Sequence, residues 1–264
     1  MQNIKQSMQQ TRAALKNKWP KVILVFCIVA AAFGMKSLFV SLVGFVFTQG
    51  MSSLATPLTS ALSLFFIAFE LFCFGPLYIG ALRWLWQTVL GADEPLNTVF
   101  YYYETKRDYK KALEISFNFL WRIYGYLLLS GIPFAAMTMA KQLVSDSVYV
   151  SAALKIGVFF GWILFAILGG VLFVALISRH FLVLPISFSD DKIDAYDAFR
   201  LSSIMSKGRV SSVMYMVLRF IPLLLLCLLA VPIIWVVPYL AASVLRFAKG
   251  VIEEFTAAYT TLKN

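Results

Sequence analysis

The stretch ALKNKWPK, Ala14–Lys21, leads directly into VILVFCIVAAAFGMKSLFVSLVGFVF, Val22–Phe47. Lys36 is the one charge in the second segment, which exceeds the roughly 20 residues an apolar helix needs to cross the hydrocarbon core of a bilayer. The basic, Trp-containing approach is an interfacial anchor, since Lys and Arg stay on the cytoplasmic side and Trp sits at headgroup level. Met1–Pro20 is polar and basic and has no short apolar core, so the first run is expected to remain as an uncleaved anchor.

Further runs follow the same rule. They extend over Leu58–Leu82, Ala112–Ala140, Ile156–Phe188 and Val210–Phe247. The chain of 264 residues is 61% hydrophobic and 14% charged, with mean hydropathy +0.81. A soluble domain is nearer half apolar and a quarter charged, and a water-exposed surface this apolar would aggregate. The composition predicts an all-α, polytopic transmembrane bundle in a single domain, 1–264. A cytoplasmic segment 1–21 precedes the bundle at 22–247, and a cytoplasmic tail occupies 248–264. The last run holds Pro222, Pro232 and Pro238. It reads as two spans turning near Ala230–Ile233, with one long span plus an interfacial helix as the competing reading.

Charge sets the orientation. The segments 1–21, 83–111, 179–209 and 246–264 hold 18 of the 23 Lys and Arg residues. Placing these segments on the cytoplasmic side, with both termini there, requires an even number of spans. Six spans, arranged as three hairpins, satisfy the count. Each odd span follows a basic cluster and each even span nears its cytoplasmic end at a proline (Pro76, Pro185, Pro238), which suggests related hairpins. Two polar stretches between spans read as amphipathic helices at the cytoplasmic interface. One lies within Gly91–Lys111, with Tyr101, Tyr102 and Tyr103 expected among the headgroups. The other starts at Asp194, turns Ala195, Ala198, Phe199, Leu201, Ile204 and Met205 to one side, and is expected to close at Gly208.

The net charge of +10 flanks apolar spans, so it points to anionic lipid headgroups as partners and not to nucleic acid. A membrane-protein partner is left open. Cys27, Cys73 and Cys227 lie singly in apolar runs, where they act as small hydrophobes. His180 is the one histidine. No motif of nucleotide, zinc-hydrolase or serine-hydrolase type is present, and neither a catalytic set, a metal site nor a cofactor is expected. The carboxylates Asp190, Asp191, Asp194 and Asp197 read as a solvated helix start.

Charges inside spans are the functional leads, because burying an unpaired charge in hydrocarbon is costly. At about 1.5 Å rise per residue, Lys36 lies about 22 Å from Lys21 and Glu70 about 20 Å from Arg83. Antiparallel neighbours would bring them level, and a Lys36–Glu70 pair is expected. Arg122 and Arg219 sit about 16 and 15 Å inside Lys111 and Arg209. With Arg179 and His180 they form a candidate basic cavity for an anion or lipid phosphate. Transport, or lipid and anion handling, follows from that reading. The alternative is a non-catalytic membrane scaffold for an envelope complex.

Several motifs occur in a telling order: Ala14-Leu15-Lys16-x-x-Trp19, then Phe74-Gly75-Pro76-Leu77-x-x-Gly80 followed by Glu94-Pro95. Later come Asp197-Ala198-Phe199-x-x-Ser202-x-x-Met205-x-x-Gly208 and Pro238-Tyr239-x-x-Ala242. Together they resemble the bacterial polytopic membrane family catalogued as domain of unknown function nine-seven-five, which looks related to the membrane domain of some glycerophosphodiester phosphodiesterases. The resemblance spans about Ala13 to Phe255. It implies a multi-pass protein of the bacterial cytoplasmic membrane and no particular activity.

Overall fold

The computed structural model describes residues 4–50, 61, 65, 68–146, 151–227 and 232–263. Among them every regular element is helical. The chain runs through α1 (Ile4–Leu15), α2 (Trp19–Gly50), a π-helical turn (Glu70–Phe74), α3 (Gly75–Val89) and a 3-10 helix (Leu96–Tyr103). It continues with α4 (Lys106–Asp146), α5 (Ala152–Ile177), a 3-10 turn (Ser178–His180), α6 (Val183–Ser189), α7 (Ala195–Met205), α8 (Val210–Leu226) and α9 (Ile233–Lys263).

Three helical stretches are long and apolar enough to cross a bilayer: Lys106–Val144, Ala152–Ser189 and Ile233–Ala258. They mark the chain as a membrane protein. The shorter apolar helices are Trp19–Ala32 and Val210–Leu223. In the first two long stretches only 6% and 0% of the most apolar window is buried, against 44% in the third. Leu128, Ile132, Phe160 and Leu164 therefore face outward, an arrangement that a lipid solvent makes favourable.

The α4–α5 pair is an antiparallel hairpin. Tyr126 meets His180, Ser130 meets Gly169 and Thr138 meets Trp162, so the indices run in opposite directions. A Cβ at Gly169 would sit 2.8 Å from the Ser130 carbonyl oxygen. Glycine is what lets the two backbones approach there, as small residues do between membrane helices.

The densely buried part of the molecule lies at the opposite end from the α4–α5 connection. Trp84, Leu85, Val89, Tyr102, Ile115, Leu182, Met216, Phe220 and Ala248 are buried together. The basic segments meet around this core. Tyr239 Oη donates to the Met8 carbonyl at 3.2 Å, and Arg246 donates to the Val89 carbonyl at 3.0 Å and to Gln10 at 3.3 Å. Lys18 donates to the Ala92 carbonyl at 2.6 Å, and Arg209 pairs with Glu254 at 2.8 Å. The N-terminal segment, the 83–111 and 179–209 segments and the C-terminal helix thus share one end of the bundle.

Several local expectations are revised. The tyrosine-rich helix is 3-10, so residues three apart lie above one another. Val99 and Tyr102 consequently both turn inward, and Tyr102 is 1% exposed instead of lying among headgroups. The basic residues Lys106–Lys111 form the first turns of the helix that continues through the apolar run expected from Ala112. Helix α7 buries Ala195, Ala198, Phe199, Ser202 and Met205 and leaves Ile204 exposed. It ends at Ser206, and Gly208, at φ +76°, makes the left-handed turn that follows. The last apolar run contains two helices, α8 and α9, and α9 continues through the expected tail to Lys263. The link expected at Thr48–Thr59 lies mostly outside the described residues.

Candidate functional site

Pro76 lacks an N–H, so the Phe72 carbonyl four residues earlier loses its helical partner. The chain answers with a π turn over Glu70–Phe74, in which the Gly75 N–H donates to the Glu70 carbonyl. Two tyrosines satisfy the freed carbonyls from outside. Tyr109 Oη donates to Phe72 O at 3.0 Å, and Tyr103 Oη donates to Cys73 O. Gly75 brings α3 against α4, because a Cβ there would lie 2.7 Å from Ser116 Oγ.

Beside this break is a partly open cavity of about 510 Å³, lined by the π turn, α3, α4, the end of α5 and α6. Leu71, Ile79, Phe119, Leu120, Ile123, Ile177 and Leu184 form its apolar wall. Glu70, Tyr78, Ser116 and Tyr124 bring a carboxylate and three hydroxyls to it. Ligand pockets commonly combine an apolar wall with a few polar groups in this way, and π turns are frequent at functional sites.

At the basic end, Arg83 is 8% exposed and forks onto Asp191 at 2.8 and 3.3 Å. Its guanidinium lies 3.8 Å from the Tyr101 ring centroid, a cation–π contact. Lys111 donates to the Asp191 carbonyl at 3.1 Å. The Arg83 hydrogen bonds hold the Asp191 carboxyl below the usual carboxylate range. Burial pushes the Tyr102 phenol up to about 12. The charge pattern had marked Arg83 only as a span boundary. Its neighbours Trp84 and Trp86, which signal burial on both sides of it, were the available clue.

The expected site residues are distributed as follows. Lys36 lies on α2, but its side chain falls outside the described residues, and so does the expected Lys36–Glu70 pair. Glu70 lines the cavity. Arg122 and His180 converge on Phe199. The Arg122 guanidinium is 4.0 Å from that ring's centroid and bonds Asn118 at 2.9 and 3.2 Å. His180 meets the same ring at 5.5 Å, edge to face, and shares a 2.7 Å hydrogen bond with Tyr126 Oη. Arg179 opens instead onto a cavity of about 280 Å³ shared with Ser203, Ser206, Lys207, Gly208 and Val210. Arg219 is exposed on α8, 5.5 Å from the Tyr215 ring centroid.

The acidic group also divides. Asp191 serves Arg83, while Asp190 accepts the Lys192 N–H at 2.9 Å. Among the described residues no His, Cys, Asp and Glu group is arranged to hold a metal ion.

No protein-family model, curated protein or solved structure matches this chain.

Proposed function

We propose that this protein holds a lipidic amphiphile in the cavity beside the π turn, in the service of transport or lipid handling across or within the bacterial cytoplasmic membrane. The observation that carries the proposal is the apolar cavity of about 510 Å³ with Glu70, Tyr78, Ser116 and Tyr124 on its wall. Such a wall suits an aliphatic chain joined to a hydroxyl or amine that donates to the carboxylate. The proposal includes six spans with both termini cytoplasmic. It is supported by the gathering of the basic segments at one end and by the 32-residue length of α2. The family resemblance supplies the bacterial setting.

Leu120→Trp tests the proposal by filling the cavity from α4. With a photoactivatable fatty-acyl lipid, wild-type protein should be labelled on the peptides bearing Leu71 and Tyr124, and the variant should lose most of that labelling. Labelling spread evenly along the outer faces of α4 and α5, and unchanged in the variant, would refute it. The scaffold reading is favoured by one other feature, a groove of about 380 Å³ between α4 and α5 lined by Leu127, Ser130, Gly131, Phe134, Gly169 and Gly170. Loss of partner co-purification on Gly170→Leu, with lipid labelling intact, would move the assignment there.

A further inference from the structure

The cavity at Arg179 has a construction separate from that of the Glu70 cavity. Its floor is fixed by two hydroxyls from α7, since Ser202 and Ser206 both donate to the Arg179 carbonyl at 3.0 Å. These bonds tie the 3-10 turn to α7. The opposite side is the Lys207–Val210 turn, which Gly208 at φ +76° bends back toward α7. Two cations, Arg179 and Lys207, line the space between, and neither makes an ion pair with a described carboxylate. Their neighbour Arg209 contrasts with them, being held by Glu254 at 2.8 Å. The Ser203 hydroxyl lines the same cavity and has no acceptor among the described residues. Helix α8 begins at Val210 without an acidic residue in its first turn, so its positive dipole end adds to the two side chains. Both cations are exposed where the apolar stretch Ala152–Ser189 joins the packed basic end, which on the proposed membrane reading lies near the lipid headgroups.

We propose that this cavity binds the phosphate of an anionic phospholipid headgroup. Arg179 supplies a planar two-pronged donor, Lys207 a second positive charge and Ser203 a hydroxyl donor. These are the groups that phosphate oxygens accept from most strongly. The membrane reading identifies lipid as the source, and the cavity beside Glu70 plays no part.

The experiment uses the full chain in neutral detergent with native mass spectrometry, titrating phosphatidylglycerol and, separately, phosphatidylcholine. Wild type should prefer phosphatidylglycerol, and Arg179→Gln/Lys207→Gln should weaken its binding about tenfold or more, as expected for removal of two cations. Arg219→Gln should bind as wild type does, and Arg179→Lys should recover part of the loss. Lys207→Gln alone touches an exposed turn and keeps the test valid if the double variant misfolds. Millimolar inorganic phosphate should leave the bound lipid in place. Displacement by inorganic phosphate would overturn the lipid source in favour of a free-phosphate site. Equal binding of both lipids, or equal binding by wild type and Arg179→Gln/Lys207→Gln, would overturn the proposal altogether.

Discussion

Gly80 faces the Val99 backbone so closely that any Cβ would overlap the Val99 carbonyl oxygen. Backbone carbonyls yield little, so Gly80→Ala should destabilise the protein by about 1–3 kcal/mol, read as a lowered thermal midpoint in detergent. Arg83 offers a second test. The side chain is buried, but Asp191 is 53% exposed, so solvent screens the pair and its loss should cost no more than about 1–2 kcal/mol. Arg83→Lys should not rescue the loss, because lysine can neither fork onto the carboxylate nor stack flat on Tyr101. The pH dependence has a definite sign. Asp191 titrates lower in the folded protein than its ordinary 3.8. Its stabilisation is therefore complete above that ordinary value and is lost as pH falls toward the folded one. Asp191→Asn should flatten the acid limb of a stability-versus-pH curve measured by thermal unfolding. An unchanged acid limb would contradict the role given to this pair.

The long helices are legible in the sequence because twenty or more apolar residues have few alternatives to spanning. The finer elements are not. The amphipathic helix α1 buries Ser7, Thr11 and Leu15, four residues apart, and a face built from small polar residues gives no hydrophobic period to read. Pro76 announces a bend, but the π turn depends on Tyr103 and Tyr109 reaching back about 30 residues or more to the freed carbonyls, which no local pattern encodes. Those caps make a prediction. Tyr109→Phe leaves the Phe72 carbonyl without its donor and should cost about 1 kcal/mol. Pro76→Ala restores an N–H for the same carbonyl. The double variant should therefore lose less than the sum of the two single changes, as measured by a double-mutant cycle. Strict additivity would show that the hydroxyl does not replace the proline's missing donor.

For the whole molecule, the sequence distinguished charges that set orientation from charges within spans, and the structure gives the two groups different surroundings. The four basic segments surround a packed core, while α4 and α5 project from it with their apolar faces outward. Of the charges read as a basic cavity, Arg122 and His180 share Phe199, Arg179 joins Lys207, and Arg219 stays on α8. Depth along separate helices was readable from spacing, but the rotation of each helix about its axis was not. That rotation decides which charges meet. The proposed orientation puts the packed basic end in the cytoplasm and the α4–α5 connection on the outside. Single cysteines placed in a cysteine-free background at Gln6, Thr98, Asp197, Thr256 and Ser151 test it directly, using a membrane-impermeant maleimide on intact cells. Ser151→Cys alone should be labelled, the other four reacting only after permeabilisation. Labelling of any of those four in intact cells, or protection of Ser151→Cys, would contradict the account.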